Sequence, residues 1–288
     1  MQESELILNT DGSIYHLNLL PHDIADIVIN VGDPDRVHVV SKFFNHIEIV
    51  KQKREFVTHT GYYNGRRMTV ISTGIGTDNI DIVYNELDAL VNVDLKSRKV
   101  KEQLSPLYLI RIGTSGALQA DVDVDSFVFS THGLGLDGLM NFYHYRNNAE
   151  EEKILQHFQA HYPHYNTYAQ SYLFQCSPVL NQLFSDSFHK GITASCCGFY
   201  APQGRMIRAQ IARDGMVDLL SDFSFEKYRI TNFEMETSAM FGLARVLGHH
   251  CASANLIVAN RITKKFSKNY QASLDVMIEN VLHKLATL

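Results

Sequence analysis

Two arginines stand beside the ends of apolar runs in this sequence, where backbone amides and a permanent charge can meet an anion. Arg36 follows Gly32-Asp33-Pro34, and Arg111 precedes Gly113-Thr114-Ser115-Gly116. A guanidinium offers a fixed fork of donors that matches phosphate oxygens. Glycine lets the main chain approach the anion, and α/β sheets gather ligands where strands end and helix amides point outward. Two arginines, a threonine hydroxyl and glycine-flanked amides therefore suit a phosphate group. On spacing alone, surface ion pairs account for such arginines as well.

Two further clusters carry polar chemistry. Glu234-Met235-Glu236 reads as the start of a helix. Carboxylates two residues apart point to different faces, so they should have different jobs. One job is to complement the helix dipole, and another is to accept hydrogen bonds from a polyol. The loop Phe199-Tyr200-Ala201-Pro202-Gln203-Gly204-Arg205 joins an aromatic ring, an amide and a guanidinium within seven residues. Gln203 can accept and donate while Arg205 only donates, which matches the carbonyl, N–H, carbonyl edge of a uracil ring. Phe199 could stack on the ring face. An ordinary polar loop with one buried aromatic has the same composition.

Several familiar sites are absent. G-x-x-x-x-G-K-[ST] does not occur, so there is no triphosphate loop of that kind. Gly74-Ile75-Gly76 lacks the third glycine of a dinucleotide fingerprint and does not open the first βαβ unit. No G-x-S-x-G elbow supports serine-hydrolase chemistry.

The elements that must position these residues alternate between strands and helices. Ile27 to Val31 is a short β-branched run that predicts a buried strand, with Asp33 capping the next helix and Pro34 in its first turn. Phe56 to Thr73 reads as a hairpin around Asn64-Gly65. A helix bearing Ile82, Leu87, Leu90 and Val91 follows. Further strands are predicted at Leu107 to Ile112, ending at Gly113, and at Phe127 to Phe129, Ile192 to Ala194 and Ala254 to Val258. Phe233 to Leu247 reads as a helix. Leu274, Ile278, Val281, Leu282 and Leu285 define an amphipathic C-terminal helix. Residues 141–170 are polar, aromatic and His-rich, and read as a surface insertion. No linker or repeat divides the chain. The expected architecture is a single-domain, three-layer α/β/α sandwich around a central mixed sheet.

Composition narrows the setting. The chain has 288 residues, 26 basic and 31 acidic side chains, and a formal charge of −5, which argues against a general nucleic-acid binder. Its length needs no disulfide or metal staple. Cys176, Cys196, Cys197 and Cys251 have no C-x-x-C spacing and read as free thiols of a reducing compartment. The first twenty residues show no signal-peptide pattern, and no apolar run spans a bilayer. A soluble cytoplasmic protein is expected.

Taken together, these segments resemble the nucleoside phosphorylase-I family, and within it the uridine phosphorylases, from roughly residue 15 onward and more weakly over 137–190. The anchors are Gly32-Asp33-Pro34-Asp35-Arg36, Arg54-Glu55-Phe56, Ser72-Thr73-Gly74-Ile75-Gly76, Arg111 to Gly116, the Phe199–Arg205 loop, Asn232 to Glu236, and Asn260-Arg261. Each is short, and their order and spacing carry the match. The resemblance implies that Gly32, Arg36, Arg111 and Thr114 bind phosphate, with Arg54 reaching in from a neighbouring subunit. It implies that His16, in Tyr15-His16-Leu17, contacts the ribose 5′-hydroxyl across the same interface. Met235 and Glu236 would hold the ribose, while Phe199, Gln203, Arg205, Val258 and Ala259 would form the base site. Arg261 would brace the Gln203–Arg205 loop. Arg111, Gln203, Arg205 and Glu236 are thus the implied catalytic set.

The same resemblance bears on the base. Purine phosphorylases of the family place an aspartate after the last core strand, where this chain reads Ala259-Asn260-Arg261. The acid is missing, which points to a pyrimidine. Inorganic phosphate is the implied co-substrate and no cofactor is expected. Some relatives bind a monovalent cation between subunits near Glu55 and Ile75, but Thr77-Asp78-Asn79 stands here where relatives often have Gly-Pro-Ser. The implied assembly is a homodimer with shared sites, alone or in a hexameric ring of dimers. The competing readings are phosphorolysis of another nucleoside (thymidine, deoxyuridine or a purine nucleoside), hydrolysis on the same fold, and non-catalytic nucleoside binding. His157, His161 and His164 have spacing compatible with a metal, yet no nearby Cys or carboxylate clearly completes the set.

Overall fold

Apolar, β-branched runs form the centre of one large sheet, and the polar motifs lie where its strands end. The structure is a computed structural model that describes residues 1–162, 169–184 and 188–288. Strand β1 (Ile27–Val31) is buried throughout and leads into helix α1 (Pro34–Ser41). The Asp33 side chain accepts from the Asp35 amide at 3.0 Å, so the expected cap is present. Strand β2 (His46–Lys53) is an edge strand, and β3 (Phe56–Tyr63) and β4 (Arg66–Ser72) form the expected hairpin. Asn64 and Gly65 both adopt positive φ, 50° and 80°, as a tight two-residue turn requires.

Helix α2 (Thr77–Asn92) is followed by a small ribbon of β5 (Val93–Asp94) and β6 (Lys99–Val100). Then come β7 (Tyr108–Ala117), β8 (Phe127–Gly135), α3 (Ala149–His161), β9 (Tyr172–Gln175), α4 (Pro178–Leu183) and β10 (His189–Ser195). The chain ends with α5 (Met216–Ser221), β11 (Ser224–Phe225), β12 (Tyr228–Glu234), α6 (Thr237–Leu247), β13 (His250–Asn260), β14 (Lys265–Phe266) and α7 (Tyr270–Leu285).

The main sheet runs β11-β12-β10-β8-β13-β7-β1-β4-β3-β2 and mixes parallel with antiparallel pairs. Helix α1 packs with α7, and α2 with α6. This is the single-domain α/β fold with a mixed sheet and flanking helices that the sequence predicts. One end of the sheet also closes. Beyond β13, β7 pairs with β12 through Ala117 and Phe233, so β7, β13, β8, β10 and β12 form a ring. The ends of β7, β12 and β13 are thereby brought to one place.

Three sequence expectations need correction. Strand β7 does not stop at Gly113 but continues to Ala117. The glycines there answer close packing rather than a turn: a Cβ on Gly113 would lie 2.7 Å from Asn255 Oδ1, and one on Gly116 would lie 3.3 Å from the Phe233 ring. Phe233 and Glu234 end a strand, because their backbones pair with Ala194 and Ser195, and the helix begins only at Thr237. The 141–170 stretch is more than a surface segment. Helix α3 buries Ile154, Phe158 and Glu151, and Arg245 meets both oxygens of the Glu151 carboxylate at 2.6 and 2.7 Å. Tyr143 donates to Asp81 of α2, and the Tyr145 ring packs edge-on to Phe174.

One buried titratable group outside the site has a measurable consequence. His132 on β8 is 1% exposed, its Nε2 has no hydrogen-bond partner among the described residues, and burial depresses its pKa to about 4. The unfolded chain takes up this proton below about pH 6.5, whereas the native protein resists it until near pH 4. His132 therefore imposes a loss of stability as pH falls through that window. His132→Phe should abolish about 2 kcal/mol of the destabilisation seen between pH 7 and pH 5. Thermal unfolding at both pH values would check this, and an unchanged pH dependence would contradict it.

Candidate active site

The strand ends enclose a cavity of about 670 Å³ lined by most of the expected residues. Gly32, Arg36, Arg111 and Thr114 lie along one part of its wall. Met235 and Glu236 lie in the turn between β12 and α6, and Phe199, Gln203, Arg205, Val258 and Ala259 complete the lining.

Arg111 is the centre of the charged part. β7 is parallel to β1, with Arg111 opposite Asn30, so its side chain starts beside the β1–α1 turn. Its Nη2 lies 2.5 Å from Glu236 Oε2, and its Nε lies 3.3 Å from Glu234 Oε2. Its Nη1 is buried and, among the described residues, has no hydrogen-bond partner. A Cβ on Gly32 would stand 4.0 Å from that atom, so the free donor faces the β1–α1 turn. Nearby, Arg36 Nη2 donates to Thr114 Oγ1 at 3.3 Å. Burial, and then the neighbouring Arg111 charge, lower the pKa of Arg36. For Arg111, burial opposes the charge, but Glu236 and Glu234 outweigh it and raise the pKa. A buried guanidinium with an unpartnered donor, beside a second, partly buried one, suits an anion.

Glu234 and Glu236 do have different jobs. Glu234 accepts from Ser195 Oγ at 2.6 Å and from the amides of Glu236 and Thr237 at 3.0 Å. It secures the start of α6 and one edge of Arg111. Burial raises its pKa, offset by Arg111 and reinforced by Glu236. Glu236 accepts from the Gly76 amide at 2.8 Å as well as from Arg111. Gly76 itself has φ 97°, a conformation that favours glycine.

The opposite end is built from alternating rings and guanidiniums. Arg205 Nη1 donates to the Phe199 carbonyl at 2.8 Å and to Gln203 Oε1 at 2.5 Å. Its guanidinium covers the Phe199 ring at 3.9 Å and lies 5.6 Å from the Phe233 ring. Arg261 donates to the Gln203 carbonyl at 3.0 Å and the Gly204 carbonyl at 3.4 Å, the bracing expected of it. Burial and then Arg261 depress the pKa of Arg205 to about 10. Phe199 is 51% exposed, and one face is taken by Arg205 rather than left open on both sides.

Val258 and Ala259 are consecutive in β13 yet both line the cavity. Alternation would turn them to opposite faces. The pairing with β7 slips between Ile257 and Ala259, which leaves Val258 as an extra residue and accounts for the shared direction. Asn260 turns away. Its amide donates to the carbonyls of Gln119 and Val122, and its Oδ1 accepts from the amides of Ile262 and Thr263.

His16 and Arg54 do not reach this cavity. They gather instead around Tyr15, whose ring lies 4.8 Å from His16 and 6.0 Å from the Arg54 guanidinium. Arg54 is exposed, and the His16 ring lies against Glu86. The cavity also holds residues to which the sequence reading gave no ligand contact, among them Asn79, Phe233 and Phe266. Phe266 lies in a two-residue strand that no periodicity marks. His157 and His161 sit on α3 beside Phe225 and Tyr162, and His164 lies outside the described residues. Among the described residues, no three His, Cys, Asp or Glu side chains are grouped to hold a metal.

Comparison with known proteins accords with this geometry. The sequence pattern of the phosphorylase superfamily matches residues 26–286. The chain is 30% identical to a uridine phosphorylase of Thermococcus kodakarensis over 261 residues, covering 90% of this chain and 81% of the relative. It is 24% identical to a DeoD-type purine nucleoside phosphorylase of Buchnera aphidicola, covering 94% of this chain and 98% of the relative. A Trypanosoma brucei nucleoside phosphorylase described as showing uridine phosphorylase activity superposes with a TM-score of 0.90 at 27% identity, over 98% of this chain and 100% of the other. With nearly the whole chain matched by sequence and by fold, this protein belongs to the phosphorylase superfamily.

Proposed function

We propose that this chain catalyses the phosphorolysis of uridine to uracil and ribose 1-phosphate, a step of nucleoside salvage. The observation that carries the phosphate half is Arg111 Nη1, a buried donor with no hydrogen-bond partner among the described residues, which faces Gly32 beside Arg36 and Thr114. An incoming phosphate dianion supplies what that donor lacks. A hydrolase would have no use for the arginine set, and a mere binder would have no need to keep it complete.

The pyrimidine half rests on two supports. Asn260 is no acid and its side chain is fully engaged away from the cavity, so nothing there can protonate a purine ring nitrogen. Gln203 and Arg205 instead offer donors to ring oxygens, where charge collects as a pyrimidine leaves. The relatives named as uridine phosphorylases support the same choice.

In the proposed reaction, ribose hydroxyls donate to Glu236, which Arg111 and the Gly76 amide hold in place. Met235 packs against the sugar. Phosphate, held by Arg36, Arg111, Thr114 and the Gly32 turn, lies below C1′. The C1′–N1 bond stretches, positive charge grows on the sugar, and the phosphate stabilises it while an oxygen bonds to C1′. The departing base carries the electron pair and takes a proton from water to become uracil, matched by the proton that the hydrogen phosphate gives up as it becomes the phosphate ester. Positioning supplies much of the rate. Phosphate is the co-substrate and no cofactor enters the scheme. We place the enzyme in the cytoplasm, which suits its four free thiols; among the described residues no helix is long and apolar enough to cross a membrane.

We also propose a homodimer in which Arg54 and His16 of one chain complete the site of the other. Their position outside their own cavity, clustered on Tyr15, supports this. The test is a nucleoside panel assayed with and without phosphate across a dilution series. Uridine should be consumed only with phosphate, and specific activity should fall once the dimer dissociates. Full-rate release of uracil without phosphate would sink the phosphorylase reading, and a fully active monomer would sink the shared site.

A further inference from the structure

Glu86, on helix α2, is 13% exposed and surrounded by donors. Each of its oxygens accepts from the His16 amide at 3.0 Å, and one also accepts from the Leu17 amide at 2.9 Å. The other lies 2.6 Å from His16 Nδ1. An ionised carboxylate only accepts, so the proton of this last bond sits on Nδ1. In the neutral ring the second nitrogen, Nε2, is then a lone-pair acceptor. Among the described residues Nε2 has no hydrogen-bond partner. The Tyr15 ring stands edge-on to the imidazole, with an interplanar angle of 80°, and limits its rotation.

We propose that Glu86 is a positioning residue that locks His16 in the Nδ1-protonated form, leaving Nε2 to accept a hydrogen bond from the substrate's 5′-hydroxyl. The inference rests on the reading above, in which His16 reaches the ribose in the neighbouring site. It goes further by assigning a residue and a selectivity: the site demands a 5′ group that donates. A 5′-deoxynucleoside cannot donate and leaves Nε2 unmatched. The same helix carries the Gly76 amide to Glu236 just before its first turn, so α2 aligns one residue of its own site and one directed at the neighbour's.

Glu86→Gln keeps the size but replaces one acceptor oxygen by an NH2 that must face an N–H. The full chain is assayed with uridine and with 5′-deoxyuridine, each with phosphate. The wild type should favour uridine by about tenfold in kcat/KM, the scale of one hydrogen bond. Glu86→Gln and His16→Ala should each bring that ratio close to one, and the double variant should lose nothing more. Equal losses on both substrates, with the ratio kept, would mean a purely structural role and would overturn the proposal. So would additive losses in the double variant. The ratio cancels any general loss of folded enzyme. An independent readout is the 15N spectrum of His16, which should report a protonated Nδ1 in the wild type and a shift toward protonated Nε2 in Glu86→Gln. Should the wild type fail to consume uridine with phosphate, the fault lies with the proposed function, and the 15N spectrum still decides the role of Glu86.

Discussion

Arg111→Lys should lower kcat/KM for uridine phosphorolysis by about 10²- to 10⁴-fold. Arg111 uses separate nitrogens toward Glu236, Glu234 and the β1–α1 turn. A lysine keeps the charge but has one nitrogen, so it cannot hold Glu236 and an anion in the same geometry. Two charge-assisted hydrogen bonds at about 1.5–3 kcal/mol each set the range, since about 1.4 kcal/mol is tenfold in rate. The retained charge avoids leaving Glu234 and Glu236 buried without a cation. Steady-state kinetics in both substrates, beside a thermal melt, would check this. A variant within tenfold of wild type would show that Arg111 does not bridge ribose and phosphate.

The second large effect is expected at the other end of the cavity. Arg205→Ala removes the proposed donor to the base and the group that orients Gln203 Oε1. A loss of about tenfold to 150-fold in kcat/KM for uridine follows from one charge-assisted hydrogen bond. The KM for phosphate should stay near its wild-type value. Arg261 still grips the carbonyls of Gln203 and Gly204, so the loop backbone should keep its course. Equal damage to both substrates would contradict the assignment of Arg205 to the base.

The β1–α1 corner of the candidate anion site was legible because its residues are local in the chain, whereas Thr114, 78 positions from Arg36, is joined to it only by the fold. Gly32-Asp33-Pro34 and Arg36 fall within one turn after a β-branched run, and that arrangement survives in β1 and α1. What stayed hidden depends on contacts between distant residues. Ser195 and Glu234 are 39 positions apart, and His16 and Glu86 are 70 apart, so no periodicity joins them. The glycines at 113 and 116 resembled a turn because a turn and a close approach both call for a missing Cβ. In α3 the polar composition concealed Glu151, whose burial is tolerable only because Arg245 meets it. Arg54 and His16 were named by resemblance alone, and they lie outside the cavity of their own chain.

The slipped register of β13 separates two routes by which this pocket can change. Replacing Val258 alters the shape of one patch of wall and leaves Ala259 in place. Deleting one residue there restores simple alternation and turns one of the two side chains out of the pocket. Substitutions at this strand therefore act in small steps on ligand preference, whereas a single-codon deletion redraws the wall at once. Insertions and deletions, usually confined to loops, have a direct path into this pocket through the middle of a sheet.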